Sequence, residues 1–208
     1  MTQKHLDFGP GTLRRRLSEL PIIARAAFTT ACAQRQFSLY LRFHQRSGKG
    51  QPAVLVQALA RLWADFLGEA SFPEAERQES IVTLEAMIPA EYDYDDEGGM
   101  ATDAINSTVC ALTCSLTGDL QSAIWSAEFA FETLYSHVST YIINLDEIDD
   151  PSFDKDKAAT EHPLVQTELA RQQRDLDEIT AACQQPGGLL ALIPTLRARA
   201  IAEAITFE

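Results

Sequence analysis

The chain has 208 residues, with 17 Lys+Arg against 30 Asp+Glu, a formal charge of −13, and 46% hydrophobic residues. That length builds one domain, or two small ones, and buries roughly 70% of the extended surface without a disulfide or metal staple. Ordinary apolar content excludes global disorder, apolar runs far below the roughly 20 residues of a membrane span exclude a transmembrane helix, and no secretory leader pattern opens the chain, so a cytoplasmic protein off the membrane is expected.

Helical periodicity recurs from end to end, and strand-like alternation is nearly absent. Leu13, Leu17 and Leu20 mark a short first helix stopped at Pro21, which itself suits the first position of the next. That second helix runs to about Arg46. Ile23, Ala26, Ala27, Thr30, Phe37, Tyr40 and His44 lie on one side, and Phe28, Cys32, Leu39 and Phe43 on another. A helix apolar nearly all round belongs at the centre of a bundle. Ser47-Gly48-Lys49-Gly50 breaks it.

Pro52 opens a third helix with Leu55, Leu59, Leu62, Trp63 and Phe66 in one stripe, ended by Gly68. Pro73 opens a fourth with Ile81, Leu84 and Ile88, stopped by Pro89. Residues 89–99 read as an acidic loop. A fifth helix, about 101–117, carries Ile105, Val109, Leu112 and Leu116, and Asp119 is placed to cap the sixth. The sixth stripe runs Leu120, Ile124, Ala127, Phe131, Leu134, Val138, Tyr141 and Leu145. Residues 146–160 read as an acidic linker around Pro151. A seventh helix follows Thr160, with Val165, Leu169, Leu176, Ile179 and Cys183 in register, and Pro186-Gly187-Gly188 ends it. The last helix carries Ile193, Leu196, Ala200, Ile201 and Ala204, with Pro194 starting or kinking it. The reading is a single all-α domain over residues 1–208, a bundle of seven to eight helices, with the weakest patterns at 1–12 and 187–208.

Charge is segregated. Residues 1–61 hold ten basic and two acidic residues, a formal +8, and the remainder holds seven against 28, or −21. Either the basic N-terminal part packs against the acidic remainder, or the surface carries an acidic face for a basic protein partner. Nucleic acid is disfavoured, because the net field repels phosphates.

Few constellations carry chemistry. Cys32, Cys110, Cys114 and Cys183 form no C-x-x-C pair, so reduced, buried thiols are the default. Starting from Asp93, the acidic loop offers oxygens at calcium-loop positions one, three and five and Gly98 at six, but Ala104 stands where a bidentate Glu is required. His5, His44, His137 and His162 are scattered. No nucleophile stands with its base, and no catalytic, metal or cofactor residue is nominated. Two sets remain. Tyr92, Asp93, Tyr94, Asp95, Asp96 and Glu97 are candidate contacts for a protein partner. Arg35, Asp103, Glu168 and Gln172 are a candidate buried polar cluster, in which Arg35, interrupting an apolar helix face, pairs with Asp103 or Glu168.

Ala31-Cys32-Ala33-Gln34-Arg35, Tyr40, Phe43, Gly48, Leu62-Trp63 and Leu67 are similar in order and spacing to a known family. So are Ile88-Pro89, Thr102-Asp103-Ala104, and His162-Pro163-Leu164-Val165 with Glu168 and Gln172. Over roughly residues 15–180 the chain resembles the YjaG-like family of small bacterial proteins, a domain of unknown function. The resemblance implies a cytoplasmic all-α domain and brings no activity, substrate or catalytic residue with it. The leading expectation is a non-enzymatic binding or adaptor protein. One alternative is a small-ligand or enzymatic pocket around Arg35, Asp103 and Glu168, and another is a self-associating structural protein, a homodimer through its last helix.

Overall fold

The computed structural model describes residues 10–89, 96–143 and 152–207, without the side chains of Pro10 and Asp96. The described residues contain helices and connecting turns and no strand. In chain order the helices are α1 (Pro10–Ser18), α2 (Ile22–Ser47), α3 (Pro52–Phe66), α4 (Glu74–Glu85), α5 (Asp96–Thr117), α6 (Leu120–His137), α7 (Lys155–Glu161), α8 (Pro163–Cys183) and α9 (Gly188–Ala202). None is long and apolar enough to cross a membrane.

The central position expected of the second helix holds. From Ala24 to Gln36, α2 is buried on nearly every side except at Arg25, and α3, α5, α6, α8 and α9 all pack on it. Its most extensive partner is α5, and the two approach closely because both present small side chains. Ser107 and Ser126 Oγ lie 2.6 Å apart across α5 and α6, and Ser126 Oγ donates to the Thr29 carbonyl of α2 at 3.2 Å. At the chain reversal before α6, Gly118 sits at φ +70°, and a Cβ there would lie 2.8 Å from Ile22 Cγ1. Asp119 then caps α6 as expected, accepting from the Ser122 amide at 2.7 Å.

A main core runs through α1–α6, α8 and α9. A smaller cluster gathers Leu39, Leu134, Val138, Val165, Leu169 and Ile205 beneath the end of α6, the start of α8 and the C-terminal tail. The main departures from sequence expectation fall where apolar periodicity is weak. Within the stretch 89–99 expected as an acidic loop, α5 already begins at Asp96, where Gly98 and Gly99 lower helix propensity while tertiary contacts supply the support. Thr102 Oγ1 returns a hydrogen bond to the Gly98 carbonyl at 2.9 Å. The linker 146–160 gives way to α7, capped by Asp154 accepting from the Lys157 amide at 3.0 Å. Its seven residues bury only Ala159, so no stripe announces it. In α9, Pro194 lies inside the helix, and Ile201 is exposed rather than core-facing. Tyr141 likewise leaves the sixth stripe, since α6 widens at Val138–Ile142 into a π-helical turn.

Candidate functional site

Helical spacing on α8 explains how a polar stripe enters the core. Glu168, Gln172 and Asp175 stand at i, i+4 and i+7, alternating with Leu169 and Leu176 on one buried face. Arg35 of α2 lies opposite, and Arg35, Glu168 and Asp175 are all at most 1% exposed. Arg35 Nη2 donates to Glu168 Oε1 at 2.8 Å, Nε lies 3.1 Å from both Glu168 oxygens, and Nη1 donates to Asp175 Oδ2 at 2.8 Å. Gln172 Nε2 donates to Glu168 Oε1 and to the Ala127 carbonyl of α6, each at 3.1 Å.

The alternation of charge continues outward. Asp175 Oδ1 accepts from Arg199 of α9 at 2.8 Å, and Arg199 also donates to Glu178 at 2.9 Å. Arg174 donates to both Glu203 oxygens, at 2.9 and 2.7 Å. Burial lowers the pKa of Arg35, but Glu168 and Asp175 outweigh it and hold the guanidinium above its ordinary value. Burial pushes the Cys32 thiol well up, against the pull of Arg35, so it is no nucleophile. The arrangement is chemically closed. Every carboxylate oxygen in it already accepts or faces a cation, and none of its core members is exposed.

A second polar grouping is open. A cleft of 230 Å³ is lined by Arg42 and Arg46 of α2, Glu97 and Met100 of α5, His137, Tyr141 and Phe207. Glu97 Oε1 accepts from Arg42 Nε at 3.0 Å and from Arg46 Nη1.

Residues 12–206 match the family described as a protein of unknown function, DUF416. The chain belongs to the DUF416 family. Its fold is similar to the crystal structure of a DUF416 family protein from Shewanella baltica OS155, with a TM-score of 0.73 and 22% identity, covering 93% of this chain and 98% of that one. No curated protein matches it.

Within this DUF416 chain the residues singled out in sequence separate into three groups. Arg35, Glu168 and Gln172 meet. Asp103 does not join them: its carboxylate accepts from Thr133 Oγ1 of α6 at 2.8 Å, and burial raises its pKa to about 6 despite that hydrogen bond. Asp103 lies on the α6-facing side of α5, whereas Arg35 faces α8, so Glu168 is the partner of the two considered. Among the loop candidates, Tyr92, Asp93, Tyr94 and Asp95 lie outside the described residues, as does the Asp96 side chain. Glu97 is in the first turn of α5, 15% exposed and committed to Arg42 and Arg46. Sequence reasoning missed Asp175, although its signal was present seven residues after Glu168 beside core Leu176. It also missed the Arg42–Arg46 cleft, whose walls are brought together by the fold.

Proposed function

We propose that this DUF416 chain, of the YjaG-like type, is a non-enzymatic cytoplasmic bacterial binding protein that presents an acidic surface to a basic protein partner. The observation that carries the reading is where the positive charge goes. Basic residues of the N-terminal part pair with acids of the rest of the chain: Arg16 with Asp177, Arg35 with Glu168 and Asp175, Arg42 and Arg46 together with Glu97, and Arg61 with Glu76. On α4, Glu74, Glu79 and Glu85 stay exposed around Val82, which is 59% exposed. Arg77, the one cation of that helix, turns inward to Asp65 at 2.5 Å. Such a face attracts a basic partner at long range and offers an apolar centre on contact. In sequence Tyr92, Asp93, Tyr94, Asp95 and Asp96 follow directly and extend the proposed contact set.

The enclosed Arg35 cluster favours a structural tie over a ligand-gripping or catalytic role, because a substrate would reach it only if α2 and α8 parted. The test is affinity purification at about 50 mM and about 500 mM salt, comparing wild type with E74Q/E79Q/E85Q. Screening shortens the electrostatic range severalfold between these conditions. A stoichiometric basic protein, lost at the higher salt and in the variant, is expected. A partner retained by the variant at both salts overturns the reading.

An apolar groove between Pro21, Ile23, Phe66, Cys183, Leu190 and Ile193 supports self-association as a second reading. Ile23 and Leu190 are 45% and 55% exposed there. Light scattering across concentrations tests it, and a strict monomer removes it.

A further inference from the structure

We propose that the cleft between α2, α5, the end of α6 and the C-terminal tail is a binding site for a small anion carrying a single flat ring. Two guanidiniums meet one carboxylate there. Arg42 uses only its Nε and Arg46 only one Nη on Glu97, and both bonds go to the same oxygen. Among the described residues the Nη groups of Arg42 make no hydrogen bond. Among these residues the pair therefore offers a fork of N–H donors beyond those given to Glu97, the geometry that receives a carboxylate or phosphate side-on. In a chain of net charge −13, two arginines one helical turn apart on α2 make a local concentration of cation.

The opposite wall is aromatic. The Phe207 ring stacks on His137 with centroids 3.8 Å apart and planes at 25°, and Tyr141 lies 5.4 Å from the same imidazole. Arg42 Cζ stands 6.0 Å from the Phe207 centroid, which brings the charged and flat walls within reach of one ligand. Two features fix this wall. The Ile205 amide donates to the Arg35 carbonyl at 2.8 Å, and Ser38 Oγ donates to the Ile205 carbonyl at 2.6 Å, so the tail carrying Phe207 is pinned to α2. The π-helical turn Val138–Ile142, closed by Ile143 N donating to the Val138 carbonyl at 3.0 Å, carries Tyr141 at the mouth. Single π turns inside helices are uncommon and concentrate at functional sites.

Size selects the ligand class. At 230 Å³ the cleft falls below the roughly 300–1,000 Å³ of pockets for drug-sized molecules. One ring with one acidic group suits it, and a dinucleotide does not.

The test is a titration with phenyl phosphate, benzoate, inorganic phosphate and benzyl alcohol, followed through the ring resonances of His137, Tyr141 and Phe207. Saturable binding of phenyl phosphate or benzoate is expected, roughly tenfold tighter than either the bare anion or the uncharged ring. Which of the two binds better identifies the acidic group. R42Q and F207A should each weaken binding by roughly tenfold, with a cooperative thermal transition showing that each variant is still folded. The proposal is overturned if neither ring acid saturates, if inorganic phosphate binds as tightly as phenyl phosphate, or if both variants bind like wild type.

Discussion

Arg35 shows how one residue sets the terms for its neighbours. Desolvating a guanidinium and two carboxylates is costly, and their mutual attraction offsets the cost only with good hydrogen bonding; here each Arg35 nitrogen and each oxygen of Glu168 and Asp175 has a partner. Arg35→Ala takes from buried Glu168 its close cation and leaves Asp175 to Arg199 and Arg174, and is expected to lower the unfolding free energy by about 3–5 kcal/mol in urea titration. R35M/E168L/D175L removes all three charges and is expected to recover most of that loss. If the triple variant is as unstable as Arg35→Ala, the charges themselves are needed. Asp103 gives a pH signature of opposite origin. Its carboxyl titrates near 3.8 unfolded and at about 6 folded. Between those values the native state holds a proton that the unfolded chain has released, so this contribution to stability falls as pH rises through that window. Asp103→Asn keeps an acceptor for Thr133 and removes the charge. The variant should match wild type near pH 4 and melt higher at pH 7, and a melting difference independent of pH would falsify the assignment.

At the scale of the element, helix ends and breaks decide more than helix interiors. Gly118 combines a left-handed backbone with a crowded neighbour, and its carbonyl accepts from Arg25 Nη1. Gly118→Ala is therefore expected to cost about 2 kcal/mol, from backbone strain plus displacement of Ile22, read as a lower urea midpoint at unchanged slope. Gly11, with open space around it and no positive φ, is the control: Gly11→Ala should be neutral or mildly stabilising within α1. The stripes of α3 and α8 were legible because their apolar residues recur at 3.6-residue spacing and are all buried or half-buried. The start of α5 and all of α7 were not. Their support comes from cap bonds and from Glu97 gripped by arginines on α2, neither of which leaves an apolar period in the chain.

For the whole molecule, burial governs reactivity. Cys32, Cys110 and Cys114 are enclosed, and burial raises Cys110 to about 12 and Cys114 to about 11. Cys183 is half-buried beside the apolar groove. In the native state a maleimide should therefore modify Cys183 first, with the other three labelled at the rate of global opening. Mass spectrometry of tryptic peptides checks this, and equal early labelling of Cys110 would contradict its burial.

Sequence alone determined the helical class, the central place of α2 and the presence of a buried partner for Arg35. Each follows from a local rule: period, all-round apolarity, and the cost of an unpaired charge in the core. It also gave the segregation of charge along the chain. The tertiary structure decided which carboxylate answers Arg35, because Asp103 and Glu168 were equally eligible in sequence and differ only in which face of α2 their helices meet. It decided that Glu97 belongs to Arg42 and Arg46 and that the tail brings Phe207 onto His137. Pairings across 51 to 133 residues of sequence carry no periodic trace. They are fixed by how the helices stack, and that is settled by the shapes of faces that sequence shows only one at a time.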